Sequence, residues 1–383
     1  MEDVMAFTIQ NRFVGDFANW VAPNVFGSAF VEPLVGNFDR NGTTDLALVN
    51  HDAGWNTVPV ALSDPNGFTI QNRFVGDFAA WAASYTVEPL TGDFNGNGTT
   101  DIALINHGAG WNTVPVAFSD QNGFSVDNRF VGDFAGWAAT PGVEALAGDF
   151  NGNGTTDIAL INHGAGWNTV PVAFSDQNGF SVDNRFVGDF AGWAATPGVE
   201  ALAGDFDGNG TTDIALVNHG AGWNTVPVAI SGQNGFTIDN RFVGDFAAWA
   251  ATPGVEALAG DFDGDGRTDL ALVNHGAGWN TVPVAFSGQN GFTIDNRFVG
   301  DFAAWAATPG VETLAGDFDG DGRTDLALVN HGAGWSTVPV ALSRPSGFEI
   351  HNEFVGDFAA WATTPGVETI VGNLMVGVEQ ILV

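Results

Sequence analysis

One pattern dominates this sequence, a unit of 56 residues that recurs along most of its length. Six tryptophans follow one another at this interval: Trp55, Trp111, Trp167, Trp223, Trp279 and Trp335. A second series keeps the same interval after a first one of 61 residues, because VAPNVFGSAFVEP holds five extra residues: Trp20, Trp81, Trp137, Trp193, Trp249, Trp305 and Trp361. Repeats of this length indicate a chain built from one structural module stacked on copies of itself.

Each unit contains four short apolar runs separated by turn-forming residues. In the unit that begins at Val255 the runs are VEALAGDF, DLALVN, WNTVPVAFS and FTIDNRFVG, and the segments DGDGRT, HGAG and GQNG separate them. Such runs bounded by Gly, Asn and Asp predict β-strands, and no segment predicts a helix of ordinary length. Four strands at this period are typical of a β-propeller blade. We therefore predict an all-β fold, a single propeller domain over residues 1–383.

The number of units predicts how the ring closes. Without the five-residue insertion the chain corresponds to 6.75 units, which predicts seven four-stranded antiparallel blades, with six as the alternative. The N-terminal strand AFTIQNRFVG would then pair with the C-terminal strands to complete the last blade. Pro283 and its equivalents lie inside the third strand, where proline is unfavourable unless the strand is an edge or bulges. We expect a bulge there.

Composition excludes several classes of partner. The formal net charge is −34, and all ten basic residues are arginine, so nucleic acids and anionic membrane surfaces would be repelled. The absence of cysteine removes disulfides and thiolate metal sites. The first residues, MEDVMAFTIQ, carry no visible signal peptide, and no apolar run is long enough to span a bilayer. We expect a soluble monomer of undetermined location.

The segment between the first two strands of a unit has the pattern of a loop for a hard cation. Acidic or amide side chains alternate with other residues, and a glycine follows them, as in GDFDGDGRTD; closely spaced oxygen ligands of this kind bind Ca²⁺. The candidate ligands are Asp205, Asp207, Asn209 and Asp213; Asp261, Asp263, Asp265 and Asp269; and Asp317, Asp319, Asp321 and Asp325. Earlier copies have more asparagine and should bind more weakly. The alternative is a tight turn without an ion. In either case we expect a structural role.

A second group of side chains is expected on the opposite face, where the second strand joins the third. The box NHxxGW supplies His51, His107, His163, His219, His275 and His331 with the tryptophans of the first series. The strand before each box ends in NRF, which supplies Arg12, Arg73, Arg129, Arg185, Arg241 and Arg297. The seventh copy has Glu353 instead, and no box follows it. The arginine is thus missing where its expected partner is missing, which predicts six composite sites at blade junctions.

Packing is the alternative explanation for these residues. Arginine could pair with a neighbouring acid while histidine and tryptophan fill the space between blades. For the second tryptophan series, surrounded by alanine as in AAWAA, packing is the expected role. The phenylalanines of NRF are expected in the core.

If the junctions are sites, their chemistry suits a sugar. An indole face stacks on the apolar face of a pyranose, while arginine, histidine, asparagine and backbone amides bond to its hydroxyl or acetamido groups. Single contacts of this kind are weak, and repetition raises avidity. Participation of histidine predicts that binding weakens below about pH 6 as imidazole protonates.

The GDFDGDGRTD loops and the tryptophan-rich NHGAGW junctions resemble those of a known family, the fungal seven-bladed lectins related to that of Psathyrella velutina. The loops are similar to the calcium loops of FG-GAP repeats in integrin α-chains. The resemblance implies a multivalent, non-enzymatic lectin for terminal N-acetylglucosamine-like sugars of glycans or glycoproteins. The alternatives are an adhesion scaffold of integrin type, which binds proteins through its calcium face, and an enzyme. No nucleophile–base motif supports the enzyme.

Overall fold

The computed structural model describes residues 31–382 except 65, 66, 333, 365, 366, 376 and 377, together with Val14, Phe17 and Trp20. In these residues the chain forms six four-stranded antiparallel sheets and one two-stranded sheet. Within every four-stranded sheet the strands lie side by side in the order of the sequence. The predicted all-β propeller of four-stranded antiparallel blades is confirmed.

The blades have closely similar strand bounds. The first strands are β1 (Val31–Gly36), β5 (Val87–Gly92), β9 (Val143–Gly148), β13 (Val199–Gly204), β17 (Val255–Gly260) and β21 (Val311–Gly316). The second strands are β2 (Asp45–Asn50), β6 (Asp101–Asn106), β10 (Asp157–Asn162), β14 (Asp213–Asn218), β18 (Asp269–Asn274) and β22 (Asp325–Asn330). The third strands are β3 (Thr57–Asp64), β7 (Thr113–Asp120), β11 (Thr169–Asp176), β15 (Thr225–Ile230), β19 (Thr281–Gly288) and β23 (Thr337–Arg344). The fourth strands are β4 (Gly67–Phe74), β8 (Gly123–Phe130), β12 (Gly179–Phe186), β16 (Thr237–Phe242), β20 (Gly291–Phe298) and β24 (Gly347–Phe354).

A short helix follows the fourth strand of each of these blades, where the sequence predicted only a connecting segment. The helices are α1 (Asp77–Ala82), α2 (Asp133–Ala138), α3 (Asp189–Ala194), α4 (Asp245–Ala250), α5 (Asp301–Ala306) and α6 (Asp357–Ala362). In α2 the residues Phe134, Ala135 and Ala138 are buried. Six residues are too few to display a helical period in the sequence, and packing of this face stabilises the helix instead.

The core lies between successive blades. In the second to sixth blades the second strand is buried along its whole length, which explains its continuous apolar sequence. Phe94 of the second blade is fully buried and meets Phe180 of the third edge to face, with ring centroids 6.3 Å apart. The same pair recurs at four other junctions. Because each blade contributes half of such a core, a single blade would leave its apolar surface exposed.

Hydrogen bonds of a threonine connect one blade to the blade before it. The amide of Thr156 donates to the carbonyl of Asp93 at 2.7 Å, and its hydroxyl accepts from the amide of Asp93 at 3.0 Å. Beside this pair, a Cβ added to Gly92 would lie only 2.4 Å from the methyl group of Thr156. The threonine before the last loop aspartate is therefore a junction residue, which the sequence analysis overlooked although it recurs in every loop of this kind.

The two-stranded sheet of β25 (Ile370–Met375) and β26 (Val378–Leu382) closes the ring. Strand β25 contacts β21 of the sixth blade and both β1 and β3 of the first. Gly372 meets Thr44 as Gly92 meets Thr156. The described residues thus contain six complete blades, the number given as the alternative, and a two-stranded sheet between the sixth and the first. The predicted N-terminal strand at residues 6–13 lies outside the described residues.

The expected bulge at the third-strand proline is wrong. Strands β19 and β20 pair without a register shift, with Pro283 opposite Asn296. On its other side the ladder with β18 extends only over Leu270↔Ala285 and Ala271↔Val284. The ladder ends before Pro283, so the missing N–H interrupts no hydrogen bond, and a bulge is unnecessary.

Candidate blade-junction site

The loop aspartates and the box histidines lie at opposite ends of the strands, as the order of the strands predicted. The loops between first and second strands contact the ends of third strands, since the side-chain amide of Asn97 donates to the carbonyl of Ser119. The histidines lie instead at the ends of the second strands, beside the helices. We call the first end the loop face and the second end the box face.

Each box histidine joins three elements of its blade. Nε2 of His107 lies 2.7 Å from Oε2 of Glu88 on the first strand, and Nδ1 lies 3.1 Å from the carbonyl oxygen of Ala138 at the end of α2. Four further histidines have equivalent contacts: His163, His219, His275 and His331. His51 contacts Glu32 in the same way, but its Nδ1 lies 3.3 Å from the carbonyl oxygen of Ser84, just beyond the helix. Both ring nitrogens therefore already have partners inside the protein.

The carboxylate favours the protonated imidazole. The hydrogen bond to Glu88 raises the pKa of His107 above its ordinary value of 6.5, and burial opposes this only in part. The glutamates Glu144, Glu200 and Glu256 likewise raise the pKa of the histidines they contact. A protonated imidazole can donate to the carboxylate and to the helix carbonyl together. The histidine acts as a tie between the first strand and the helix.

The box tryptophans lie at the blade junctions. Trp111 is half-buried and packs against two apolar clusters, one between the first and second blades and one between the second and third. Trp55, Trp167, Trp223 and Trp279 each pack against two clusters in the same way, and Trp335 packs against one. Part of each indole therefore remains accessible on the box face.

The second tryptophan series is also half-buried. Trp137 on α2 packs against the cluster that Trp111 and Trp167 border, and Trp81, Trp193, Trp249 and Trp305 occupy equivalent places. The expected packing role is consistent with these contacts, but the indoles are not sealed inside the core. Each of these junctions is bordered by three partly accessible indoles.

The arginines do not have the contacts that the sequence analysis expected. Arg129 is buried, and its Nη1 donates to the carbonyl oxygens of Asp176 and Gly179, at 3.0 and 3.3 Å, in the loop-face turn of the next blade. Its guanidinium lies 4.3 Å from the ring centre of Phe118. Arg73, Arg185, Arg241 and Arg297 are buried in the same position against phenylalanine rings. Arg12 lies outside the described residues.

The guanidinium therefore points to the loop face, away from the histidine ties. Burial raises the pKa of the loop residue Asp101, and the positive charge of Arg129 offsets part of this increase. The predicted contact between guanidinium, imidazole and indole is not found among the described residues. The arginine side chain lies instead between its own blade and the next one. The alternative role, in which arginine pairs with a neighbouring acid, agrees with the ion pair between Arg129 and Asp127 at 3.4 Å; a direct role in binding stays untested.

Glu353 now has a structural explanation. It occupies the arginine position of the sixth blade, opposite Val338, and lies 3.8 Å from Nδ1 of His351. In the first five blades the arginine lies against a phenylalanine of the following blade. Arg129 of the second blade also bonds to the turn between the third and fourth strands of the third blade. Residues 367–383 contain no segment of the WNTVPVAF type. Glutamate thus replaces the arginine in the blade that is followed by the two-stranded sheet.

The phenylalanines of NRF are exposed, so the expectation that they belong to the core is wrong. The accessible fraction is 68–70% for Phe74, Phe130, Phe186, Phe242 and Phe298, and 73% for Phe354 of the NEF copy. The preceding arginine is the residue that points inward. Side chains alternate along a strand, and only one of these two neighbours can face the next blade. The sequence signal was available in this alternation.

The aspartate loops bring acidic oxygens together. Three sets have ligand atoms within 4.8 Å of one another: Asp205, Asp207 and Asp213; Asp261, Asp263 and Asp265; and Asp317, Asp319 and Asp325. Asp269 and Asp321, two further members of the predicted ligand sets, lie outside these groups. Carboxylate oxygens suit a hard cation such as Ca²⁺, so the donor chemistry of all three loops fits.

Other contacts in the loops favour a turn that is stable without an ion. Asp261 accepts hydrogen bonds from the amides of Gly264, Asp265 and Gly266. Arg267 lies 2.6 Å from Asp265, and Arg344 lies 2.7 Å from Asp319. These arginines already offset part of the negative charge. The cation and the ion-free turn therefore remain two testable alternatives.

The last aspartate of each loop is fully buried. Oδ1 of Asp269 accepts from the amide of Ser287 and Oδ2 from the amide of Phe262. Burial raises its pKa to about 8, despite these hydrogen bonds. Asp213 and Asp325 have equivalent bonds, and burial raises the pKa of each to about 7. This residue fastens the loop to the end of the third strand.

None of the described helices has the length and apolar character required to cross a bilayer. The functional residues that sequence reasoning missed are the glutamates bonded to the histidines: Glu32, Glu88, Glu144, Glu200, Glu256 and Glu312. A charged residue at a fixed place in an otherwise apolar first strand was the available signal.

Comparison with known proteins places the chain among β-propellers. No protein-family model and no curated protein sequence matches it. Among solved structures it is similar to a lectin from Agrocybe aegerita, described for specific recognition of non-reducing terminal N-acetylglucosamine. The TM-score is 0.68 at 19% sequence identity, over 88% of this chain and 84% of the lectin. At this identity the likeness shows that the two share a fold.

Proposed function

We propose that this protein is a multivalent, non-enzymatic lectin with about six equivalent sites at its blade junctions. The observation that carries the proposal is the repeated, partly accessible indole of the box, which borders two blades at once in Trp111 and its equivalents. An aromatic face of this kind packs against the apolar face of a sugar ring, and neighbouring polar groups provide orientation. Repetition around one rigid ring supplies avidity.

Terminal N-acetylglucosamine-like sugars are the proposed ligands. The similarity to the Agrocybe aegerita lectin supports this choice, since that lectin recognises this sugar and is built on the same fold. A shared fold supports the proposed class of protein, whereas the residues of the site decide which sugar binds. The relationship to Psathyrella velutina-type lectins and to FG-GAP repeats belongs to the same proposal.

We assign different roles to the three residue types. The box tryptophans are the proposed sugar contacts. The histidines, with both ring nitrogens bonded, are proposed to hold the box between the first strand and the helix. The arginines are proposed to fix the spacing of adjacent blades, since each buried guanidinium lies against a phenylalanine ring of the next blade.

Calcium in the Asp-rich loops would be structural. Asp261, Asp263 and Asp265 would hold it in the fifth blade, Asp205, Asp207 and Asp213 in the fourth, and Asp317, Asp319 and Asp325 in the sixth. A bound cation would neutralise carboxylates that otherwise repel one another. The acidic loop face also supports the second candidate function, an adhesion scaffold that binds proteins through calcium.

A glycan array separates the two candidates. The lectin proposal expects signals confined to glycans that end in N-acetylglucosamine or a close relative, retained after chelator treatment if the fold survives. An array without any signal, combined with calcium-dependent capture of a purified protein partner, would favour the scaffold. A hydrolase screen on the glycans that bind tests for catalysis.

A further inference from the structure

Each described four-stranded blade displays one exposed phenylalanine at the end of its fourth strand. The residues are Phe74, Phe130, Phe186, Phe242, Phe298 and Phe354, each about equally accessible at 68–73%. A Cβ added to Gly132 would lie 3.5 Å from the ring of Phe130, and Gly132 has φ 55. The ring therefore lies against the backbone of a left-handed glycine, with its outer surface open to solvent.

This phenylalanine is adjacent to the box. Phe130 is paired with Thr113, two residues after Trp111. The carbonyl oxygen of Asn112 accepts hydrogen bonds from the amides of Val131, at 3.0 Å, and Gly132, at 3.1 Å. The chain that carries the exposed ring is thereby fastened to the residue that follows the box tryptophan.

Two polar residues lie near the ring along the chain: Asn112 precedes Thr113, the strand partner of Phe130, and Asp133 follows Phe130 by three residues. The side chains of Asn112 and Asp133 are exposed, and neither has a side-chain hydrogen-bond partner among the residues that the structure describes. Asp133 and Trp137 are four residues apart on α2 and so lie on the same side of the helix. We call Asn112, Phe130, Asp133 and Trp137, with their equivalents, the rim surface.

We infer that the rim surface binds a second sugar residue of a glycan chain whose terminal sugar occupies the proposed box site, and that it favours neutral or basic sugars over acidic ones. The inference rests on the proposed function. An aromatic ring beside a carboxylate and an amide offers packing for a pyranose face and acceptors for its hydroxyl or ammonium groups. The Asp133 carboxylate and the net charge of −34 repel a sialic acid carboxylate.

The test compares ligands of different length on matched variants. Calorimetry would measure binding of N-acetylglucosamine, its β-linked trimer, a partly deacetylated trimer that carries an ammonium group, and a sialylated trisaccharide. In one variant serine replaces all six rim phenylalanines (Phe130→Ser and its equivalents), which should leave the fold intact because these rings are exposed. In a second, Asp133→Asn is made at Asp77, Asp133, Asp189, Asp245, Asp301 and Asp357.

For wild type we expect tighter binding of the trimer than of the monosaccharide. The phenylalanine variant should lose about tenfold in trimer affinity, the size of one aromatic contact, and should keep the monosaccharide affinity within about twofold. The aspartate variant should lose the preference for the ammonium-bearing trimer over the sialylated ligand. Asp120→Asn with Asp176→Asn on the loop face is the charge control for Asp133→Asn with Asp189→Asn, which also removes two charges, and it should retain that preference.

The outcomes distinguish the two proposals. If wild type binds monosaccharide and trimer equally and the serine variant is unchanged, the rim surface is not a sugar site, although the lectin proposal stands. If the aspartate variant and its control lose the charge preference alike, the selection arises from overall charge and the assigned role of Asp133 is wrong. If wild type binds none of the four ligands, both proposals fail.

Discussion

Nε2 of His107 lies 2.7 Å from Oε2 of Glu88, 19 residues earlier in the sequence, while Nδ1 of the same ring meets the carbonyl of Ala138. The histidine thereby connects the first strand, the second strand and the helix of one blade. Its raised pKa follows from the glutamate. Because both nitrogens are engaged, the ring is better suited to positioning the box than to bonding a sugar.

This relationship predicts how stability depends on pH. The folded-state pKa of His107 lies above the ordinary value of 6.5. The tie therefore contributes fully to the free energy of unfolding below pH 6.5, and this contribution is lost as the pH rises through the folded-state pKa. We expect the melting temperature to decrease across this range. Replacing Glu88, Glu144, Glu200 and Glu256 by glutamine should flatten the profile, which thermal melts of both proteins would measure. Identical profiles would contradict the role of the tie.

Sugar binding should likewise be retained at acidic pH. Binding that merely requires the box to be held in place should persist at pH 5 to 6, because the imidazole stays protonated and tied there. The simple expectation from the sequence was weaker binding below about pH 6, where a free imidazole would protonate. Calorimetry with N-acetylglucosamine at several pH values decides between them, and a loss of affinity in acid would favour direct bonding by neutral histidine.

Removal of box tryptophans should eliminate sugar sites one by one. Trp279→Ala should eliminate one site of about six and weaken agglutination slightly, because the remaining sites maintain avidity. Replacing all six should abolish agglutination. Circular dichroism and the melting temperature are the controls, since these indoles also pack against the core. Unfolding of the sixfold variant would instead support a packing role.

The blade junction itself can be tested by adding one methyl group. Gly92→Ala places a Cβ 2.4 Å from Thr156 and should destabilise the protein by about 1–3 kcal/mol through overpacking. Thr156→Ala in the same chain should restore part of the loss. Gly136→Ala is the matched control: no atom lies within 4 Å of the added carbon, and a helical alanine should stabilise by about 0.5–1 kcal/mol. Chemical denaturation measures all four proteins.

The buried arginine should prove structural. Arg129→Met keeps an apolar stem but removes the bonds to the next blade, and it should cost about 1.5–3 kcal/mol. Arg40→Met, at an exposed position, should change stability by less than about 0.5 kcal/mol. Denaturant titration supplies these values. If Arg129→Met leaves stability unchanged but removes sugar affinity, the arginine contacts the ligand after all.

Calcium should raise the melting temperature if the Asp-rich loops bind it. An ion present at about 100 times its dissociation constant stabilises the folded state by about 2.7 kcal/mol. Asn replacement of Asp263 and Asp319 should reduce the shift, whereas the same change at Asp120, which lies outside the candidate sets, should not. An unchanged melting temperature at about 1 mM calcium, the range of weak extracellular sites, would favour the ion-free turn.

The sequence NRF did not by itself specify which of its two large side chains faces the next blade. The arginine and the phenylalanine were both recognised, but their directions were exchanged. In the fourth strand, the edge of each blade, one neighbour faces the adjacent blade and the other faces solvent. Burial of Arg129 is favourable only because carbonyls of the next blade and the ring of Phe118 receive its guanidinium. Those partners are distant in the sequence.

The sequence by itself determined the repeat, the four strands per unit, the antiparallel order and the two faces of the ring. These properties depend on contacts between neighbouring segments, so turn residues and apolar runs specify them locally. Only the tertiary structure decided that Glu88 holds His107, that Thr156 clamps Asp93, and that Arg129 is buried while Phe130 is exposed. Side-chain direction at a junction depends on how two blades meet, and this geometry exists only once the ring has formed.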